Sequence, residues 1–188
     1  MKHSFKPSFA ASTILVLSAF FTGILGVGER EQFQAQAVGE GQQMGQTFSV
    51  TITINEYSMP EDQKVLRDAF SAKGMDGLTN AVSKMSSKGR IGISGTVGYD
   101  ANYIRVFQTP SGRKIRMVTN RPIRFGETWA DSRPQDYSLS VVELDLDSNG
   151  KGTGILLPAC ELKMSKENEI EIEALLNPWR LTDVFTSQ

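Results

Sequence analysis

Short segments of alternating apolar and polar residues, joined by turn residues, fill most of the chain after Gly89. Side chains alternate between the two faces of a β-strand, so this pattern predicts strands with one buried face. We expect strands at about 90–99, 103–108, 113–119, 137–147, 154–163, 169–174 and 179–185. Short connections join antiparallel neighbours, so the pattern predicts one antiparallel sheet.

The preceding segment adds one strand and a helical region. Residues 47–54 alternate in the same way, and the stretch from 58 to 89 carries apolar residues at helical spacing with glycines at 74 and 89. The sequence therefore predicts an α+β fold: a curved antiparallel sheet or partly closed barrel of about eight strands, with a helical hairpin after the first strand, packed against the sheet or plugging one end.

The first 37 residues have the three parts of a secretory signal peptide. Two lysines precede an apolar run at 13–27, and Ala35 and Ala37 supply the small residues that signal peptidase requires. This pattern predicts export, to the periplasm or the extracellular space, and cleavage after Ala37. Residues 9–28 are also just long enough to cross a bilayer, so an uncleaved anchor is the alternative.

Cleavage there divides the chain into a signal peptide at 1–37, a flexible lead-in at 38–46 and a single domain at 47–185. The cleaved chain has 17 Lys and Arg residues against 19 Asp and Glu residues. Its charge is nearly balanced, which predicts no nucleic-acid partner, and no stable membrane insertion once the leader is removed. A small-molecule ligand remains a possible partner.

Histidine is absent from the cleaved chain, since His3 is the only one in the sequence. Catalysis by Ser-His-Asp or Cys-His groups and metal binding by histidine are therefore excluded. Cys160 is a lone cysteine in an apolar stretch, which predicts a buried side chain and no internal disulfide. We expect no cofactor.

The stretch from Asp145 to Gly150 begins like a calcium loop, with oxygen ligands at Asp145, Asp147 and Asn149. Its twelfth position is Leu156, where such a loop needs a glutamate, and the residues before it alternate like a strand. The other interpretation is a β-hairpin with a type I′ turn at Asn149-Gly150. The sequence makes this stretch a weak candidate for a metal site.

Residues 101–126 carry six basic side chains and no acidic one, and 127–147 carry six acidic side chains and one arginine. Two interpretations are open: a basic groove for an anionic ligand, or basic and acidic strands that pair across the sheet. The long connection at 120–135 is the first place to look for a site, because long ordered loops often carry function. Its candidate ligand-binding residues are Arg121, Arg124, Trp129, Asp131 and Arg133.

Several motifs resemble a group of small exported bacterial proteins of unknown function. They lie at 95–100, at 118–123 with 125–127, at 143–146 with 150–154, and at 178–182, and the resemblance covers roughly residues 47–185. It implies export and a single domain, and it implies no activity, ligand or site residue.

These observations favour an exported, non-enzymatic binding module for a small apolar or anionic ligand held in a cavity of the sheet. One alternative is a glycan hydrolase, which needs only two carboxyl groups flanking the scissile bond. Its pair would come from Glu127, Asp131, Asp136, Glu143, Asp145, Asp147 and Glu161. Another alternative is an interaction or structural protein of the cell envelope.

Overall fold

The computed structural model describes residues 30–123, 138–167, 169–176 and 178–187. Nine strands and one helix occur in this part of the chain. The strands are β1 Glu31–Gly39, β2 Thr47–Ile54, β3 Gly89–Ile93, β4 Tyr99–Thr109, β5 Gly112–Thr119, β6 Leu139–Asp147, β7 Gly152–Met164, β8 Ile170–Leu176 and β9 Trp179–Thr186. The helix α1, Pro60–Lys84, follows β2.

Eight of these strands close into an antiparallel barrel. Consecutive strands pair from β1 to β7, and β9 lies between β7 and β1, which completes the ring. β8 stands outside it and pairs with the last residues of β7. The predicted α+β fold with a barrel of about eight strands is therefore confirmed, and the barrel is fully closed.

The barrel interior is filled by side chains. Large apolar residues from all eight strands point inward and are almost completely buried, among them Phe33, Ile52, Ile91, Met117, Leu144, Leu156 and Trp179. An eight-stranded barrel is just wide enough for side chains to fill its centre or for one small ligand to bind there. Among the described residues these side chains pack into one cluster at the barrel centre, and the open clefts lined by described turn residues lie outside this cluster.

The helix α1 packs on the outside of the barrel and does not plug its end. It contacts β4, β5 and β7. Lys73 and Gly74 have non-helical backbone angles, with Gly74 at φ +57°, so the helical region is divided where the sequence predicted its first part to end. Within the described residues, no helix is long and apolar enough to span a membrane.

A second apolar core lies between this helix and the outer face of the barrel. Leu66, Leu78 and Val82 of α1 pack there with residues of β4 to β8, including Tyr103 and Cys160. Burial raises the pKa of the Cys160 thiol to about 12, so this thiol stays protonated and unreactive at neutral pH. The expected buried, unpaired cysteine is confirmed.

The N-terminal boundary differs in one respect from the sequence expectation. Residues 31–39 form β1, which pairs with β2 over eight residues and also with β9. The expected cleavage after Ala37 falls inside this strand, and the lead-in expected at 38–46 includes its last two residues and the 3₁₀ turn Gly41–Gln43. Phe33, Ala35 and Ala37 alternate with glutamines, and this period of two is typical of a β-strand with one buried face.

Candidate functional site at one barrel end

The two barrel ends differ in how they are built. The end that we call the lower end carries the start of β1, the β4–β5 turn at 110–111 and the β6–β7 turn at 148–151. The upper end carries the β3–β4 turn at 94–98 and the connection that follows β5. Open clefts lie at the lower end, beside the β4–β5 and β6–β7 turns.

An ion pair spans the mouth of the barrel at the lower end. Glu31 of β1 and Arg113 of β5 project inward from strands on opposite sides of the ring, and their Oε2 and Nη2 atoms are 2.5 Å apart. The Tyr57 hydroxyl donates to Glu31 Oε1 over 2.7 Å, and the Arg113 guanidinium lies 5.9 Å from the ring centre of Phe33. These side chains cover the apolar core from below.

The pKa values of this group follow from its contacts. Burial, assisted by the hydrogen bond to Glu31, raises the pKa of the Tyr57 hydroxyl far above its ordinary value. Burial alone would lower the pKa of Arg113, but its hydrogen bonds to the Glu31 carboxylate outweigh this effect and raise it. At neutral pH Tyr57 is thus an uncharged phenol and Arg113 a charged guanidinium, and their contacts to Glu31 form a structural bridge across the barrel mouth.

Two of these clefts flank the β6–β7 turn. One, of about 520 Å³, lies between this turn and the β4–β5 turn, and Arg113, Asp145 and Asp147 are among the residues that line it. The other, of about 660 Å³, lies between the turn and the end of β9. We call the second the Phe185 cleft; it is lined by Asn149, Lys151, Thr153, Thr182, Asp183 and Phe185, among others.

A β-bulge in β9 creates the apolar wall of the Phe185 cleft. Asp183 is an extra residue relative to both neighbours, because Gln34 and Gln36 of β1 pair with Phe185 and Thr182, and β7 shows the same shift. The bulge restarts the alternation, so Val184 points into the core and Phe185 points outward, with 46% of its surface exposed. If β9 kept the same residues but alternated without a bulge, Phe185 would lie on the same side as Trp179 and Leu181 and face inward.

The bulge also carries backbone strain. Asp183 has φ +50°, and it is the one non-glycine residue with positive φ among the described residues. The left-handed region is unfavourable for residues with a Cβ atom, although Asp and Asn tolerate it better than most. Bulges and strained residues concentrate beside functional sites, which makes this cleft the leading candidate.

The stretch that the sequence made a weak metal candidate has a structural role. Asp147 Oδ1 accepts hydrogen bonds from the backbone N–H groups of Asn149 and Lys151, at 2.8 and 2.9 Å. These bonds, first that from Lys151, lower the pKa of Asp147. In the described residues, no cluster of three or more acidic or thiol groups is placed to hold a metal ion.

The turn itself differs from the predicted type I′ turn. Gly150 has φ +74°, but a type I′ turn requires Asn149 to have positive φ as well, which it does not. The Gly150 N–H donates to the Asp147 carbonyl over 3.1 Å, which fits a type I turn followed by a left-handed glycine. The Asp147 carboxylate stabilises this turn by accepting hydrogen bonds from the backbone N–H groups of Asn149 and Lys151.

Two members of the basic block, Lys114 and Arg116, pair with two members of the acidic block, Glu143 and Asp145, on the outer face of the barrel. Arg116 forms an ion pair with Glu143, and Lys114 lies 3.7 Å from Glu143 and 3.4 Å from Asp145. Glu143 faces Arg116 across the β5–β6 ladder. Cross-strand pairing therefore accounts for these charges, and the basic groove is not formed by Lys114 and Arg116.

Of the five residues predicted to bind a ligand, the structure describes Arg121. Its guanidinium lies 5.0 Å from the ring centre of Tyr99 and donates to the Gly98 carbonyl over 3.2 Å, at the upper end of the barrel. It is thus far from the Phe185 cleft and already has partners. Arg124, Trp129, Asp131 and Arg133 lie outside the described residues, as do the carboxylates Glu127 and Asp136.

Comparisons of the chain with protein-family models, with curated proteins and with solved structures found no match. The lining of the Phe185 cleft was not predicted from the sequence. Its one local signal is the run Leu181 to Phe185, in which the spacing of the apolar residues departs from strict alternation.

Proposed function

We propose that the chain is an exported, non-enzymatic binding module that holds a small, uncharged, amphipathic ligand in the Phe185 cleft. The observation that carries this proposal is the bulge at Asp183, which turns an aromatic ring out of a filled core and into an open cleft. An exposed aromatic ring beside polar groups is typical of binding sites for molecules with one apolar face.

The polar side of the cleft supports a ligand with hydroxyl groups. Thr153 and Thr182 contribute hydroxyl groups to the lining, and Asn149 contributes an amide, so the lining contains donors and acceptors. The Thr182 hydroxyl donates to the Gln36 carbonyl over 3.5 Å, and its oxygen can still accept a hydrogen bond. A saccharide unit has this combination of an apolar face and hydroxyl edges. Its apolar face would lie on Phe185, and its hydroxyl groups would bond the threonines.

The charge of the cleft favours a neutral ligand over an anionic one. Lys151 and Asp183 are the charged side chains among its lining residues, and their charges cancel. The arginine of the neighbouring cleft, Arg113, is held by Glu31. The lining of the Phe185 cleft therefore has no net charge, and a site without net positive charge does not select an anion over a neutral ligand.

The hydrolase alternative receives less support from the carboxylates that the structure describes. A glycosidase needs one carboxyl group with a raised pKa to act as the acid. Asp147 has a lowered pKa, Glu143 is paired with Arg116, and Asp145 lies 3.4 Å from the Lys114 ammonium. The pairs that would include Glu127, Asp131 or Asp136 involve residues outside the described ones.

The experiment is a titration of the purified exported protein with cellohexaose and chitohexaose as neutral probes and with trigalacturonate as an anionic probe. We expect a neutral probe to bind, and Phe185→Ala to weaken it about tenfold, since losing one aromatic contact costs roughly 1.4 kcal/mol. Met44→Ala is the matched control, because Met44 is an exposed apolar residue at the upper end.

Equal affinity of the wild type and Phe185→Ala would refute the proposed site. Preferential binding of trigalacturonate would refute the neutral ligand class. Binding of no probe, combined with a clean apo mass in native mass spectrometry of the protein taken from the exporting host, would overturn the binding function.

A further inference from the structure

The position of β1 constrains where an exported chain can be cut. Phe33, Ala35 and Ala37 point into the barrel core and are 0 to 4% exposed. Cleavage after Ala37 would remove residues 31–37, which are seven of the nine residues of β1. A barrel with one strand missing exposes its core and leaves two unpaired strand edges, an arrangement that promotes aggregation.

The contacts of β1 reach beyond its own hydrogen-bond ladders. Glu31 forms the ion pair with Arg113 across the barrel mouth, and the carbonyl of Gln32 accepts a hydrogen bond from the N–H of Ser187 over 2.8 Å. The two ends of the folded chain are therefore joined through β1. A mature protein that starts at Val38 would lose the closure of the barrel and both of these contacts.

We propose that the export leader is cleaved at the Gly28–Glu29 bond, upstream of β1. Gly26 and Gly28 place small residues at the −3 and −1 positions, directly after the apolar run at 13–27. Water adds across the Gly28–Glu29 peptide bond, which leaves a carboxyl group on Gly28 and a new amino group on Glu29. The mature chain then begins two residues before β1 and keeps the whole barrel.

This site assignment rests on the export that the proposed function includes, and it does not depend on the ligand. The cleavage site predicted at Ala35 and Ala37 satisfies the peptidase pattern equally well in the sequence. The two sites differ in their structural consequence, because the site after Ala37 lies inside a strand of the barrel and the site after Gly28 lies outside it.

The test uses the full chain with a C-terminal tag, expressed in an exporting bacterial host, with the intact mass measured for the recovered protein. We expect the mass of residues 29–188 for the wild type. Gly28→Leu places a large residue at −1 and should accumulate the uncut precursor. Val27→Leu introduces the same side chain at −2, which the peptidase does not read, and should be cut normally.

A mature protein that begins at Val38, unaltered cleavage of Gly28→Leu, or an uncut wild-type chain in the membrane fraction would each overturn the assignment. The first two results would leave export itself intact. Retention of the wild-type chain in the cytoplasm would instead refute export itself. Both substitutions lie upstream of β1 and leave the sequence of the barrel unchanged.

Discussion

The ion pair between Glu31 and Arg113 offers the sharpest test of barrel closure. The two side chains belong to strands on opposite sides of the ring, so they can meet only if the barrel closes and its lower end is narrow. The perturbation is a double-mutant cycle with Glu31→Gln, Arg113→Met and the double variant. The measured quantity is the coupling in the free energy of unfolding.

The expected coupling follows from the geometry. Two unit charges about 4 Å apart interact by about 4 kcal/mol at an effective dielectric constant of about 20, and exposed pairs contribute only about 0.2–1 kcal/mol. The side chains of Arg113 and Glu31 are 30% and 22% exposed, and they make two N–O contacts of 2.5 and 3.3 Å. This intermediate burial predicts a coupling of about 2 kcal/mol.

The assay is urea unfolding followed by circular dichroism, at low salt and in 1 M NaCl. Because the pair is partly buried, we expect high salt to reduce the coupling by less than half, whereas a surface pair would lose nearly all of it. A coupling below about 0.5 kcal/mol would refute the argument that this pair braces a closed barrel mouth.

Two further predictions concern the bulge and a buried tyrosine. Asp183→Ala should lower the free energy of unfolding by about 1 kcal/mol, because Ala is strained at positive φ, whereas Asp183→Gly should be nearly neutral; equal effects in urea unfolding would contradict the strained backbone. Burial raises the pKa of Tyr103 from 10.0 to about 12. The contribution of the protonated Tyr103 to the free energy of unfolding is therefore complete below pH 10 and is lost as the pH rises through 12. The free energy of unfolding should therefore fall more steeply from pH 10 to 12 for the wild type than for Tyr103→Phe. In a titration followed by absorbance at 295 nm, the variant should lack one phenol that ionises near pH 12 in the wild type. Identical profiles for the two proteins would disprove the shift.

Most strands were predictable from the sequence because their pattern is local. The apolar and polar residues alternate at 47–54 and 113–119, and these segments coincide with β2 and β5. Gly74 marks the break in the helical region. These signals depend on neighbours along the chain and on the tolerance of glycine for positive φ, so they can be recognised in the sequence without knowledge of the tertiary structure.

The first strand shows why a local pattern can have two interpretations. The sequence around Ala35 and Ala37 fits both a signal-peptidase site and a strand that alternates apolar residues with glutamines. Pairing with β2 and β9, which lie up to about 150 residues away, gives this segment a place in the barrel. No short window of sequence contains that information.

The candidate site required the tertiary structure for the same reason. Composition and local spacing alone determined the antiparallel class and the burial of Cys160. Only the closed barrel decided that its centre is filled, that Glu31 meets Arg113, and that one extra residue at Asp183 turns Phe185 outward. Those facts depend on the register between strands distant in the chain, and register is set by the packing of the whole barrel.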